Sequence, residues 1–394
     1  FSLPEKMEKS TIKKTSRIKE KLRAYLEANV LKTRINPTTQ EEETRKEGGL
    51  TPSYINTFLE NPKKFALKKI LDIKDADEIE EWLEVNTFGT LIHGYLEEII
   101  LEQDLLNKPL TDKDIEKILK DNKALQEHLD KLLANHAGQV VSKRGKNYLL
   151  KRIAGLLLEK FVKMQLSEKE KVAIVLAVEK ELQTTIPVVV NNQEILVVLK
   201  GNADRIDVQG EKVRVVDYKT GKHDDNALKA KNLDELLTDT KKEKVIQLMI
   251  YRYLLLKELN NEDSELRKHL PEKLKEKIAQ DGGLSKDDIQ AGFIFFRSLG
   301  KSGFVEYSLG LEKTPKFPTE SKGKTSKKST KPNQAGEDDL QEASRLNAPP
   351  KNNFNLEQFV EEFITAVVTK MFEGEEFTEE TPFAEEDEEN NEDN

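Results

Sequence analysis

The sequence predicts an α/β protein, a sheet flanked by helices with a helical subdomain inserted ahead of the strands. Three observations lead there. Residues 172–219 are rich in β-branched side chains and carry turn signals at Asn191-Asn192 and Gly210-Glu211. Helix-periodic segments bracket that stretch on both sides. Beyond it, AGFIFFRSLG and GFVEYSLGLE read as a further strand pair joined near Gly300–Gly303.

Composition narrows the function classes. The 394 residues suffice for one large or two ordinary domains. Charged residues make up 35% of the chain and mean hydropathy is −0.66, so a soluble protein is expected. No apolar run is long enough to span a membrane, and no secretory signal opens the chain, so the expected location is cytoplasmic. Phe1 in place of Met reads as the mark of a fragment of a longer protein. There is no cysteine, which excludes disulfides, thiolate zinc sites and cysteine-held iron–sulfur clusters. The net charge is −9, but Glu373–Asn394 holds twelve Asp/Glu and no Lys/Arg. The rest is mildly basic, so polyanion binding is not excluded.

Taken in order, residues 1–46 are basic, and Ile18, Leu22, Leu26 and Val30 fall four apart as on one amphipathic helix. The polar run from Pro37 to Gly49 reads as a linker. The segment suits either a solvated connector or a DNA-contacting arm. Thr51-Pro52-Ser53 is a helix start, a cap residue with Pro just inside, and that helix ends at Asn61-Pro62. Residues 80–103 form a strong helix, with a break expected near Asn86-Thr87, and His93 lies beside its Leu91, Tyr95, Ile99 face. Residues 111–166 are helix-rich and form the insert, bounded at about 104–170. Residues 224–242 are charged and loop-like. Glu243–Leu259 is a helix with Gln247 and Tyr251 one turn apart on one face. Residues 261–288 are polar and helical. Residues 314–352 have the composition of a disordered linker. A last helix spans 353–373, and an acidic tail, 374–394, follows.

The chemistry concentrates in Gly201–Gly221, GNADRIDVQGEKVRVVDYKTG. Gly210-Glu211 suits a two-residue type II′ hairpin loop. Gln209 then pairs with Lys212, and counting back pairs Asp204 with Asp217, side chains about 5 Å apart. Strand alternation puts Val213, Val215, Asp217 and Lys219 on one face and Tyr218 on the other. Two neighbouring carboxylates among apolar residues are costly without a positive charge between them. A hard divalent cation, Mg²⁺ or Mn²⁺, suits oxygen ligands. An exposed hairpin bearing a surface salt bridge is the plainer alternative.

GNADRID, VVDYKTGK and QLMIYRYLL together resemble the RecB/AddB-like branch of the PD-(D/E)XK nuclease superfamily. TPSYINTFLENPKKF resembles the opening helix of AddB-type domains, and GTLIHGYLEEI the helix that carries that branch's histidine. The resemblance covers about residues 50–310. It implies a nuclease domain over 47–313, with a central mixed sheet flanked by helices, onto which the 353–373 helix packs. It implies Mg²⁺ or Mn²⁺ held by Asp204, Asp217, the Tyr218 carbonyl and His93, with Lys219 acting on the attacking water or the phosphate. Gln247 and Tyr251 would position DNA or the hairpin loop, and Glu179 is a weaker ligand candidate. Asn61 stands where many relatives have the first cluster cysteine, so no iron–sulfur cluster is expected. The implied activity is an exonuclease acting on single-stranded or duplex DNA ends, in double-strand-break repair beside a helicase. A DNA-binding scaffold with an unused or partner-dependent nuclease centre is the competing reading. His128, His136, His223 and His269 are expected to be solvated, His223 with a possible contact to DNA.

Overall fold

The computed structural model describes residues 11–35, 42–73, 85–120, 127, 129–131, 146–165, 174–299, 303–310 and 354–383. Strand β1 (Ile12–Lys13) leads into α1 (Ser16–Leu26), capped by the Thr15 hydroxyl, and then into a hairpin of β2 (Val30–Ile35) and β3 (Glu42–Glu47). Helix α2 (Pro52–Glu60) starts as its sequence demands: Thr51 caps it and Pro52 occupies the first turn, where no N–H is needed. Asn61 caps α3 (Pro62–Phe65), which runs on into a wide turn at Ala66–Ile70. Helices α4 (Val85–Glu102), α5 (Asp112–Lys120) and α6 (Lys146–Gln165) precede the strands.

The central sheet begins with two long strands, β4 (Ile174–Val190) and β5 (Gln193–Gln209), followed by β6 (Lys212–Lys219). After β6 come β7 (Lys229–Ala230), α7 (Leu233–Thr238), α8 (Glu243–Asn260), α9 (Glu265–Lys268) and α10 (Glu272–Asp281). Then follow β8 (Ile289–Phe295), β9 (Phe304–Glu306), β10 (Ser308–Leu309), α11 (Leu356–Phe372) and β11 (Glu376–Phe377). The sheet order is β4-β5-β6-β8-β9. β6 and β8 run parallel and the other pairs antiparallel, so the sheet is mixed. A parallel pair needs a long crossover, and the helices between β6 and β8 supply it.

Strand alternation divides the core between the two faces. Val213, Val215, Phe293 and Phe295 join the larger core with α1, α2, α8 and α11. Val216, Tyr218, Ile294 and Phe296 face the other way, onto Leu91, Ile92 and Tyr95 of α4 and Leu158 and Phe161 of α6. α8 is apolar nearly all round and lies buried, as such a helix must.

Two turns set the strand register. Asn191 and Asn192 both take positive φ (+49 and +62), the type I′ geometry, and pair Val190 with Gln193. Gly210, not Glu211, takes positive φ (+59), as a type II′ turn requires, and Gln209 pairs with Lys212. A buried ionic group holds the second register. Arg214 donates twice to its cross-strand partner Asp207, at 2.8 and 3.1 Å, and Arg205 lies 2.8 Å from the same carboxylate. All three are buried. The guanidinium of Arg205 lies over Phe161 and Tyr218, and that of Arg214 over Phe304.

Several local expectations change. The stretch from Pro37 to Gly49 is not simply a linker, because Glu42–Glu47 pairs with Val30–Ile35. Val30 therefore belongs to a strand and not to the first helix. Backbone pairing tolerates such charged residues, so composition misled there. α1 is not a detached arm: Leu22, Tyr25 and Leu26 enter the main core. α4 begins at Val85, beside the expected break at Asn86-Thr87, and residues 80–84 lie outside the described residues. Residues 224–242 carry β7 and α7, and Asn232 caps the latter. The composition-based linker, most of the acidic tail, His128 and His136 lie outside the described residues.

Asp207→Ala would leave two buried guanidinium groups sharing no carboxylate. A loss of about 3–5 kcal/mol in unfolding free energy is expected, measured by urea denaturation. A loss under about 1 kcal/mol would show that the triad does not hold the hairpin.

Candidate active site

Both turns count to the same place. On β4 and β5 the pairs Val178–Arg205 and Lys180–Ala203 flank Glu179 and set it opposite Asp204. On β5 and β6 the pairs run from Gln209–Lys212 to Arg205–Val216 and stop one step short of Asp204 and Asp217. Three neighbouring strands thus each bring one carboxylate to this region. Glu179 takes φ +43, an uncommon region for a side-chain-bearing residue.

α4 brings His93 over this region from the Tyr218 side of the sheet. Its Nδ1 lies 3.4 Å from Asp204 Oδ2, and its Nε2 is 3.0 Å from the Tyr218 carbonyl. The Tyr218 N–H donates to Asp204 Oδ2 at 2.6 Å. Asn202, two residues before Asp204, donates to Glu179 at 2.7 Å. His93, Glu179 and Asp204 each offer a ligand atom, all within 4.8 Å of one another. Among the described residues they form the one group of three or more such side chains close enough to share an ion.

Asp217 stands next to that group and outside the 4.8 Å limit. Gln247 on α8 donates to its Oδ1 at 2.6 Å and also to the Tyr251 hydroxyl at 3.2 Å. Lys219 Nζ lies 2.8 Å from Asp217 Oδ2. That contact is a charge pairing without hydrogen-bond geometry, so the buried Oδ2 has no hydrogen-bond partner. Tyr251 packs flat against Gly201: a Cβ there would come within 2.6 Å of the ring. The glycine is therefore what lets the aromatic ring lie over the strand beside the site.

The electrostatics match a site short of positive charge. Burial, then the neighbouring Asp204, pushes the Asp217 carboxyl up to about 6. Burial and Asp204 likewise raise Glu179. For His93, burial disfavours the cation, but the hydrogen bond and charge of Asp204, with Asp217 behind, outweigh it and raise the pKa. The imidazole lies between a carboxylate and a carbonyl, where a metal ion would find its ligands. The donor set is one imidazole, carboxylates and a backbone carbonyl, which fits a hard or borderline divalent cation, and the buried Asp217 Oδ2 has no hydrogen bond beyond its ion pair with Lys219.

A groove of about 720 Å³ runs beside the site, lined by Lys219, Gln247, Tyr251 and Asn202 together with Thr51, Ser53 and Asn56 of α2; the carboxylates and His93 do not line it.

A family model for the PD-(D/E)XK nuclease superfamily matches residues 49–379. The chain belongs to that superfamily. The five-stranded mixed sheet flanked by helices is consistent with its fold. PD-(D/E)XK nucleases act on nucleic acid and use divalent metals. A search of the curated proteins gives no match.

The geometry brings together His93, Asp204, Asp217, Tyr218, Lys219, Gln247 and Tyr251, with three differences from the sequence reading. Glu179, the weaker candidate, stands inside the close donor group, and Asp217 stands beside it. The sequence held the signal: counting back from Asn191-Asn192, as was done from Gly210-Glu211, pairs Glu179 with Asp204. Gln247 has a partner within the protein, the Asp217 carboxylate, which its sequence could not show. His223 is not solvated. It is half-buried, stacked on Phe295 at 4.9 Å and 3.2 Å from Asp225. His269 is exposed. No helix among the described residues is long and apolar enough to cross a membrane.

The raised pKa of Asp217 makes a stability prediction. The folded state holds this proton more tightly than the unfolded chain. The metal-free protein therefore loses stability as pH rises from about 4 through about 6, by on the order of 3 kcal/mol. Asp217→Asn removes the ionisation, so it should melt above the parent at pH 8 in EDTA and close to it at pH 4. Equal melting temperatures at pH 8 would show that the carboxylate is not strained in the apo protein.

Proposed function

We propose that this chain is a Mg²⁺-dependent deoxyribonuclease, with Mn²⁺ able to replace Mg²⁺, and that it is the nuclease module of a RecB/AddB-like helicase–nuclease. In that setting it acts as an exonuclease on DNA ends at double-strand breaks, in the cytoplasm and beside a helicase. The row Glu179–Asp204–Asp217, with His93 on one flank and Lys219 on the other, carries this reading. The superfamily match and the groove that Lys219, Gln247 and Tyr251 line beside the row support it.

Each residue's task follows from its contacts. Glu179, Asp204, His93 and the Tyr218 carbonyl would hold the ion, and Asp217 would share in it from the edge of the group. The bound ion supplies a polarised phosphate and a water of lowered pKa. Lys219 stands beside Asp217 at the groove, placed to orient the attacking water and to offset charge gathering on the phosphate. Gln247 fixes the Asp217 rotamer by its hydrogen bond. Tyr251 holds the Gln247 amide and forms part of the groove wall. Gln247 is a positioning residue, acting through Asp217.

Cleavage of linear or single-stranded DNA with Mg²⁺ or Mn²⁺ tests this directly. Asp217→Ala and Lys219→Ala should each lower the rate at least about a hundredfold. Activity surviving both would sink the mechanism. DNA binding without cleavage, together with no metal uptake by calorimetry, would favour a scaffold role.

Metal binding carries a pH signature. Asp217 titrates at about 6, and Glu179 and His93 are also shifted upward, so protons compete with the ion in mildly acid solution. The rise in melting temperature caused by Mn²⁺ should be small at pH 5 and grow to pH 8. Glu179→Gln and His93→Ala should blunt it. A shift independent of pH would place the ion elsewhere.

A further inference from the structure

The groove beside the active site continues past Tyr54. A second hollow, of about 690 Å³, shares Thr51 and Tyr54 with it. Five lysines line this hollow, Lys32, Lys46, Lys68, Lys69 and Lys200, against three carboxylates. Two of those carboxylates, Asp72 and Glu47, lie 2.7 and 3.9 Å from Lys32. Lys69 Nζ sits 3.7 Å over the Tyr54 ring. Lys200 is half-buried and has no ion pair among the described residues.

One strand connects the two hollows. Lys200 in the second hollow and Asn202 in the first both lie on β5, ahead of Asp204 along the chain. At strand spacing Lys200 lies about 13 Å from Asp204, a few nucleotides along a chain. The floor at Lys200 is built from backbone. Leu50 bridges to Leu199, with Leu50 N–H donating to Val198 at 2.8 Å and Lys200 N–H donating to Leu50 at 2.7 Å. Gly49 permits this approach: it takes φ +90, and a Cβ would come within 2.9 Å of the Val198 carbonyl.

We propose that the second hollow takes the phosphodiester backbone of the single strand that runs on from the active site. The proposal rests on the nuclease reading and adds the strand's path. Lysines offer point charges to phosphates without reading sequence, and a basic groove tracking the backbone is how single strands are held. A hollow of this volume accommodates a few nucleotides of one strand and not a duplex. Lys46 and Lys200 contact phosphates beyond the scissile one, so they serve affinity for long strands and not bond cleavage.

The test is a Lys46→Glu, Lys200→Glu double variant, with Lys46→Gln, Lys200→Gln as a milder pair should charge reversal disturb folding, checked by circular dichroism melts. Binding of a labelled twenty-nucleotide oligothymidylate is read by fluorescence anisotropy in EDTA. Affinity should fall about tenfold or more, and the slope of log affinity against log salt should shrink by about 1.4, two phosphate contacts on a single strand. A labelled trinucleotide should bind both proteins alike, as should bis-p-nitrophenyl phosphate be hydrolysed alike with Mn²⁺. Unchanged affinity for the long strand would overturn the proposal. So would lysine-dependent binding of a polyglutamate peptide with no binding of the oligonucleotide, which would mark a protein-docking surface. The two readings fail separately: lysine-dependent strand binding with no cleavage would defeat the nuclease and leave the groove standing.

Discussion

The buried pairing of Asp207 with Arg214 is the contact on which the rest of the site depends. It joins directly opposed residues of β5 and β6, three positions below Asp204 and Asp217. Sliding the hairpin by one residue would turn every side chain to the opposite face and strand three buried charges. The register is therefore held from both ends, by the Gly210 turn and by this ionic group. The same ionic group packs against the helix on its own face, where Arg205 lies over Phe161 and Tyr218. Tyr218 contributes the carbonyl and the N–H that meet His93 and Asp204. A structural charge cluster and the candidate active site thus share one hairpin.

What the fold holds in place is electrostatically uncomfortable. Carboxylates from three adjacent strands meet below a histidine, and burial works against ionising them. The protein offsets this locally with Lys219, Gln247 and His93. The offset is incomplete, as the Asp217 carboxyl raised to about 6 shows. A site of this kind keeps a standing affinity for a cation, and stability is given up where function needs it. The uncommon φ of Glu179 belongs to the same pattern, at the one position on β4 that faces the site in register.

Much of this was legible in the residues. Asn191-Asn192 read correctly as a turn and Gly210-Glu211 as a type II′ turn, because Asn and Gly tolerate positive φ where other residues do not. Alternation then assigned Asp217 and Tyr218 to opposite faces. α2 announced itself through Thr51 and Pro52. Less legible were elements whose partners lie far off in sequence. Glu42–Glu47 has a linker's composition and becomes a strand only because Val30–Ile35 lies beside it. His223 has polar neighbours in sequence and an aromatic one in space. Asp207 and Arg214 were plain to see as charges, but nothing local to either said they were buried.

The sequence by itself determined the fold class, the position of both hairpin turns, and the residue types gathered at the site, because each of these follows from local backbone preference and a period of two. Only the tertiary structure decided which donors stand close enough to share an ion, that Gln247 spends its amide on Asp217, and that the active-site groove continues into a lysine-lined one. Those facts turn on how α4, α8 and the Gly48–Leu50 segment dock onto the sheet. Docking depends on packing between residues far apart in sequence, thirty positions for Gln247 and Asp217 and 125 for His93 and Tyr218, which no local pattern encodes.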